Sequence, residues 1–243
     1  GAVVLATLNQ NAINSAHPGG LVGPLYQTRQ QIGNFLFVTD GLNKKLHAVN
    51  TNNMKVIQSL DLPDPFGMGL SSDLDLLFVS NEGDNSVSVV DADPRSSSFM
   101  TEIRRVPVGQ GPRGVCVSPD NEDVFVLNRL GNSISILDMA TQTVRNTLTQ
   151  SGISRPNDVA MGIREVSGGI AFQSGTYHGF ISNGGGDNVL VYEGGPSGQA
   201  GIGFDNILGD IQPNEPIVAG QPLLVGMKDP RGLSYDPVAP LDA

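Results

Sequence analysis

The sequence has few of the residues from which metal sites and disulfides are built. Cys116 is the only cysteine, which rules out a disulfide within the chain and a cysteine-rich metal site. The three histidines, His17, His47 and His178, have no partner at the spacing of metal ligands. The sequence therefore predicts no metal site, and it names no cofactor.

Positive charge is also scarce. Lys and Arg total 14 and are scattered, against 24 Asp and Glu, so the formal net charge is −10. Because a phosphate-rich partner needs clustered cations, neither nucleic acid nor an anionic membrane surface is an expected partner. No run approaches the roughly 20 apolar residues of a membrane span, so membrane insertion is not expected. The acidity favours solubility, with a cationic protein or a divalent ion as alternative partners.

Aromatic residues are rare at 5 %, whereas glycine (31) and proline (16) are abundant. This composition is typical of many short strands joined by tight turns, and no sustained apolar period of 3.6 residues supports helices. A Gly-x-Ser-x-Gly motif is missing as well, so a serine hydrolase has no support.

Internal repetition is the dominant positive signal. Residues 65–91 align without a gap to residues 112–138 at a constant offset of 47 positions. Related copies occupy 36–50 and 180–193, and 230–237 restarts the pattern. Each copy shows four short strands: a Pro-x-Gly strand, an apolar strand ending in Asn or Asp, an alternating strand after a Gly-Asn or Gly-Asp type of turn, and a fourth strand.

Such units are too small to bury a core alone, which favours radial packing against neighbours. The predicted fold is therefore all-β: a β-propeller of four-stranded antiparallel blades, with four recognisable blades and a partial blade at each end. In a single domain over 1–243, the predicted blades are 18–64, 65–111, 112–155 and 156–228, and the partial ones are 1–17 and 229–243.

The blocks at 78–81, 125–128 and 180–183, together with 84–91 and 111–120, resemble the YVTN β-propeller family. That resemblance implies seven blades, so we expect a longer polypeptide or another chain to supply the missing ones. It also implies a prokaryotic extracytoplasmic setting: periplasmic, cell-surface or secreted. The family includes surface-layer proteins, lactonase-like hydrolases and subunits of periplasmic dehydrogenases, so it predicts fold better than function.

One position of the repeat changes its residue type from copy to copy. It follows the proline of the first strand and holds Phe66, Arg113, Asn157 and Arg231. Because first strands line the central channel of a propeller, we expect these side chains at the channel rim, with His178 as a fifth candidate contact. No catalytic residue is predicted.

Other notable residues keep a regular place in the repeat. Asp91 and Asp138 share one position, which predicts a turn-capping role. His47 takes the position of Ser88 and Ser135, which favours packing within a blade. Cys116 lies between two valines, which favours an inert core thiol.

Without a catalytic constellation, the sequence favours a non-catalytic binding scaffold. It would hold a protein or small ligand at the rim and blade loops. The alternative is an enzyme or enzyme subunit, either a lactonase-like hydrolase or a periplasmic dehydrogenase subunit that docks a redox partner.

Overall fold

The computed structural model describes residues 3–6, 35–163, 177–194, 205–211, 216–218, 221–222, 230–231 and 233. Across these ranges the chain is all-β, and no helix in them is long and apolar enough to cross a membrane. The strands form four antiparallel four-stranded sheets and one two-stranded pair.

Each four-stranded sheet is a blade, numbered here in chain order. Blade 1 comprises β1 (Val3–Ala6), β2 (Phe35–Asp40), β3 (Lys45–Asn50) and β4 (Lys55–Asp61). Blade 2 comprises β5 (Pro65–Leu70), β6 (Leu76–Asn81), β7 (Ser86–Asp91) and β8 (Glu102–Pro107).

Blades 3 and 4 follow the same order. Blade 3 comprises β9 (Pro112–Val117), β10 (Asp123–Asn128), β11 (Ser133–Asp138) and β12 (Thr143–Leu148). Blade 4 comprises β13 (Pro156–Ile163), β14 (Tyr177–Asn183), β15 (Asn188–Gly194) and β16 (Asn206–Ile211). The short pair is β17 (Pro216–Val218) and β18 (Gln221–Pro222).

The hairpin between the second and third strands is built alike in every blade. Its last residue has a positive φ, which Asn and Asp tolerate better than most residues. The four residues are Lys44 (56°), Asn85 (58°), Asn132 (48°) and Asp187 (52°). The Gly-Asn and Gly-Asp turns that the sequence predicts therefore close three of these four hairpins.

The core lies between blades. The equivalent residues Phe37, Phe78 and Phe125 are each almost fully buried, and each belongs to a different apolar cluster. The cluster of Phe37 joins blades 1 and 2, that of Phe78 joins blades 2 and 3, and that of Phe125 joins blades 3 and 4. Matching residues thus occupy matching interfaces, which confirms the propeller prediction.

Close approach of the innermost strands explains the Pro-x-Gly pattern. A Cβ on Gly67 would lie 1.9 Å from the carbonyl oxygen of Arg113, and one on Gly114 would lie 2.7 Å from that of Asn157. Hydroxyl groups tie the same region together, since Thr39 Oγ1 donates to the carbonyl of Phe66 at 2.8 Å. Adjacent blades are therefore hydrogen-bonded along the central axis.

One predicted boundary is wrong. The segment 1–17 contains β1, which pairs with β2 from Val3 opposite Val38 to Ala6 opposite Phe35. It is therefore the innermost strand of blade 1 and not part of a separate partial blade. The prediction missed it because Val3–Ala6 lacks the Pro-x-Gly pattern, which strand pairing does not require.

Candidate functional site

The varying position of the repeat lies where two strands of each blade meet. First and second strands are antiparallel, and Pro65, Pro112 and Pro156 stand opposite Asn81, Asn128 and Asn183. In two places the residue after the proline contacts the residue after the asparagine of the preceding blade: Arg113 contacts Glu82, and Asn157 contacts Arg129. We call Phe66, Arg113, Asn157 and Arg231, together with Glu82 and Arg129, the rim.

Between blades 2 and 3 the rim contains a neutral ion pair. The Nε of Arg113 donates to a carboxylate oxygen of Glu82. The guanidinium carbon of Arg113 also lies 4.5 Å from the ring centroid of Phe66, close enough for a cation–π interaction. Three side chains from two blades thus form one half-buried unit.

Between blades 3 and 4 the corresponding contact carries a net positive charge. The Nε of Arg129 donates to Oδ1 of Asn157 at 2.9 Å. The Nδ2 of Asn157 donates to the carbonyl of Pro230 at 3.1 Å, and the next residue is the exposed Arg231. Asn157 is only 7 % exposed, so its amide orientation is held from both sides.

The sequence analysis did not identify Glu82 and Arg129. Both directly follow the asparagine that ends a second strand, a position occupied by Gly41 in blade 1 and Gly184 in blade 4. A varying residue after a nearly constant one is the signal that could have found them.

The structure separates His178 from the rim. His178 stands opposite Gly162 and Glu193 near the beginning of β14, whereas the rim lies at the other end of that strand, beside Asn183. His178 is therefore not at the rim with the other four candidates, because it lies at the opposite end of β14. Ligand contact by the other four candidates stays a prediction.

Asp158 replaces the glycine of the Pro-x-Gly pattern in blade 4. Its Oδ2 accepts a hydrogen bond from the backbone N–H of Leu233 at 3.1 Å, which links β13 to the next inner segment. Burial raises the pKa of the Asp158 carboxyl. Burial, with the nearby Asp158 charge, also raises the pKa of the Cys116 thiol to about 11, in keeping with an inert thiol.

A second polar cluster links blades 3 and 4 away from the rim. Arg145 donates to both oxygens of Asp123, at 2.7 and 2.6 Å, and also to Asp205. The hydroxyl groups of Tyr177 and Tyr192 donate to Asp123 at 3.3 Å and to Asp205 at 2.6 Å. These five residues are the Arg145 cluster.

The carboxyl groups of the Arg145 cluster are shifted in opposite directions. Burial raises the pKa of Asp123 despite its bonds to Arg145. Burial also opposes ionisation of Asp205, but hydrogen bonds from Arg145 and Tyr192 outweigh it and lower the pKa of that carboxyl. Arg145 thus forms ion pairs with both carboxylates, one in blade 3 and one just before the last strand of blade 4, and so links the two blades.

Several side chains perform the structural roles predicted for them. Asp91 accepts the N–H of Asp93 at 2.9 Å, and Asp138 accepts that of Thr141 at 2.7 Å, so both cap turns. His47 bonds through Nδ1 to Ser59 on the next strand at 2.8 Å. Within the described ranges no group of three or more His, Cys, Asp or Glu is arranged to hold a metal ion. His17 lies outside those ranges.

Solved structures share this fold. A hydrazine synthase structure from Kuenenia stuttgartiensis superposes with a TM-score of 0.52 and 22 % identity, covering 66 % of this chain and 42 % of that one. A functionally unknown protein from Desulfotomaculum acetoxidans superposes with a TM-score of 0.51 and 19 % identity, covering 80 % and 55 % of the two chains. At such identities the likeness shows the β-propeller fold alone.

Sequence comparison agrees and identifies the family. A curated relative is hydrazine synthase subunit beta of the bacterium Kuenenia stuttgartiensis, 28 % identical across 45 % of this chain and 36 % of the relative. The chain thus spans about a third of that protein. Residues 17–163, more than half of the chain, match the family described as lactonase, seven-bladed β-propeller. With four propeller blades in place and that match, the chain belongs to the lactonase seven-bladed β-propeller family.

Proposed function

We propose that this chain is a non-catalytic binding module that engages a protein or small ligand at the rim. The observation that carries the proposal is the convergence of varied side chains from two repeated positions, one after the first-strand proline and one after the second-strand asparagine. Aromatic, cationic, anionic and amide groups from successive blades lie next to each other there. A rigid scaffold that displays variable side chains at one edge is suited to recognition.

The surrounding framework supports this proposal because it holds the hairpins without using the rim side chains. The buried asparagines behind the rim hold the hairpins: Asn81 Nδ2 donates to Ser86 at 3.1 Å and to Ser88 at 2.8 Å. Asn128 does the same with Ser133 and Ser135, at 3.0 and 2.9 Å. The framework is thus constant while the rim in front of it varies.

An enzyme subunit is the second candidate, favoured by the family match and by a relative whose name marks it as one subunit of a synthase. In that case the chain would contribute a lactonase-like site or dock a redox partner on its acidic surface. Under either candidate, we propose a bacterial extracytoplasmic protein of YVTN type whose remaining blades come from a longer polypeptide or a second subunit.

The two candidates make different predictions for a defined set of probes. The purified protein would be titrated with glucose, malonate, phosphate, choline and δ-valerolactone, with binding mapped by backbone amide NMR shifts. Rim binding of at least one probe, with all probes recovered unchanged, is the expected result. Hydrolysis of the lactone, lost in Arg113→Ala, would contradict a non-catalytic role, and shifts only outside the rim would contradict a rim site.

A further inference from the structure

We propose that the rim binds an anionic small ligand, and that the guanidinium of Arg129 is its principal contact. This inference rests on the proposed function and adds the chemical class of the ligand. The group recognised is an oxyanion, either a carboxylate or a phosphoryl group.

Two equivalent inter-blade contacts differ in charge. Between blades 2 and 3, Arg113 bonds to the carboxylate of Glu82, so the pair is neutral. Between blades 3 and 4, Arg129 bonds to the uncharged amide of Asn157, so a full positive charge remains. Among the described residues no carboxylate pairs with Arg129, although the chain carries 24 Asp and Glu against 14 Lys and Arg.

The geometry leaves the outer part of this guanidinium available. The backbone N–H of Arg129 is fixed by the carbonyl of Gly111 at 2.9 Å, and Nε is used by Asn157. No described residue accepts a hydrogen bond from the two Nη groups of Arg129. Paired N–H groups held in one plane match the oxygens of a carboxylate or phosphate, so a bidentate contact is the interaction for which this side chain is oriented.

Partial burial strengthens the attraction. Arg129 is half-buried, and a charge in such a place is less screened by water and salt than an exposed one. Arg231 follows Pro230, whose carbonyl accepts the hydrogen bond from Asn157. The attraction therefore rests on Arg129 itself, whose charge faces an amide where Arg113 faces a carboxylate.

The test compares anion binding by the wild type, two rim variants and one control variant. Malonate and inorganic phosphate would be titrated at constant ionic strength into wild type, Arg129→Gln and Asn157→Asp, with calorimetry and amide NMR. The Asn157→Asp change is nearly isosteric and places a carboxylate against Arg129, so the site is neutralised while the arginine stays, although the hydrogen bond to the carbonyl of Pro230 is lost. Both variants are expected to weaken anion binding about tenfold or more.

Arg104→Gln is the matched control. Arg104 is an exposed arginine on β8 whose Nη1 donates to the carbonyl of Thr141 at 3.0 Å, and its loss removes the same charge from the chain. Unchanged anion binding in this variant is expected. The comparison of malonate with phosphate decides between the two oxyanions.

Three results would overturn the inference. One is no anion binding to wild type, another is equal binding by all variants, and a third is anion-induced shifts only outside the rim. If glucose or choline bound at the rim and neither anion did, the ligand class would be wrong while the binding function stood. If none of the probes bound at the rim, both the proposed ligand class and the proposed binding function would be wrong.

Discussion

Single residues of the repeat have physical roles that can be separated one by one. Glycine at the third position of the Pro-x-Gly pattern allows neighbouring inner strands to touch, as Gly67 shows beside the carbonyl of Arg113. In blade 4 the same position holds Asp158, which instead bonds to the backbone of Leu233. A change at one position therefore alters how two blades meet along the axis.

Gly67→Ala is expected to destabilise the protein by about 1–3 kcal/mol or more, because a methyl group there must push two backbones apart. Gly209→Ala is the control, since a Cβ at Gly209 meets no atom within 4 Å. The Gly209→Ala control should leave the free energy of unfolding unchanged or raise it slightly, because alanine loses less conformational entropy than glycine when a strand forms. Urea unfolding would measure both, and equal free energies of unfolding would show that the strand contact does not require glycine.

Asp158 is expected to make the stability of the fold depend on pH. Its pKa is raised in the folded protein by burial, so folding favours the protonated carboxyl. The stabilising contribution is complete below the unfolded pKa of about 3.9 and is lost as pH rises through the folded pKa.

Asp158→Asn removes this ionisation and keeps an oxygen for the Leu233 N–H. The free energy of unfolding of wild type minus that of the variant should therefore fall as pH rises above about 3.9, the unfolded pKa, and level off above the folded pKa. Chemical denaturation at several pH values measures it. A difference that grows with pH would mean that the carboxylate form stabilises the fold.

At the scale of strands, the fourth strand of each blade carries a bulge at the same position. The bulged residues are Ile57, Ile103, Arg145 and Leu208. The three apolar ones are about half exposed, at 46 %, 51 % and 50 %. Only Arg145 turns this position into an inter-blade connection, because Asp123 takes the place that Leu76 has in blade 2.

Arg145→Ile is expected to cost about 3–5 kcal/mol, because Asp123 is fully buried and would lose its cation. The double variant Asp123→Leu with Arg145→Ile installs the residues of blade 2, Leu76 and Ile103, and should recover much of that loss. Differential scanning calorimetry of both variants measures the effect. A double variant less stable than the single one would show that the remaining contacts of the Asp123 carboxylate, among them the hydroxyl of Tyr177, stabilise the fold more than leucine does.

At the scale of the whole molecule, the net charge of −10 opposes compaction. Raising NaCl from 0.01 to 0.1 M shortens the screening length from about 30 to about 10 Å, which weakens this repulsion. A gain of about 1 kcal/mol would raise Tm by roughly 2–4 °C for a chain of this size.

Thermal melts at neutral pH over this salt range would test the charge effect. The control is the same series near the sequence pI of about 4.5, where the repulsion and the salt effect should vanish. A Tm that fell with salt at neutral pH would show that exposed ion pairs outweigh the repulsion.

The repeat in the sequence was sufficient to predict the blades, because strand alternation, turn residues and the Pro-x-Gly pattern all recur together. It was insufficient for β1, whose residues carry no turn signal and pair with β2 across a long connection. The rim was half predictable. The position after each proline varies visibly, but the partners Glu82 and Arg129 come from the preceding blade and adjoin it only after packing.

By itself, then, the sequence determined the class of fold and the number of recognisable blades, since these depend on local periodicity and composition. Tertiary structure alone decided which side chains meet. It pairs Arg113 with Glu82 at one blade junction, whereas at the next Arg129 contacts an amide and no carboxylate among the described residues. It also places His178 away from the rim. Those contacts join residues about 28 or more positions apart, and their distances depend on how whole sheets pack.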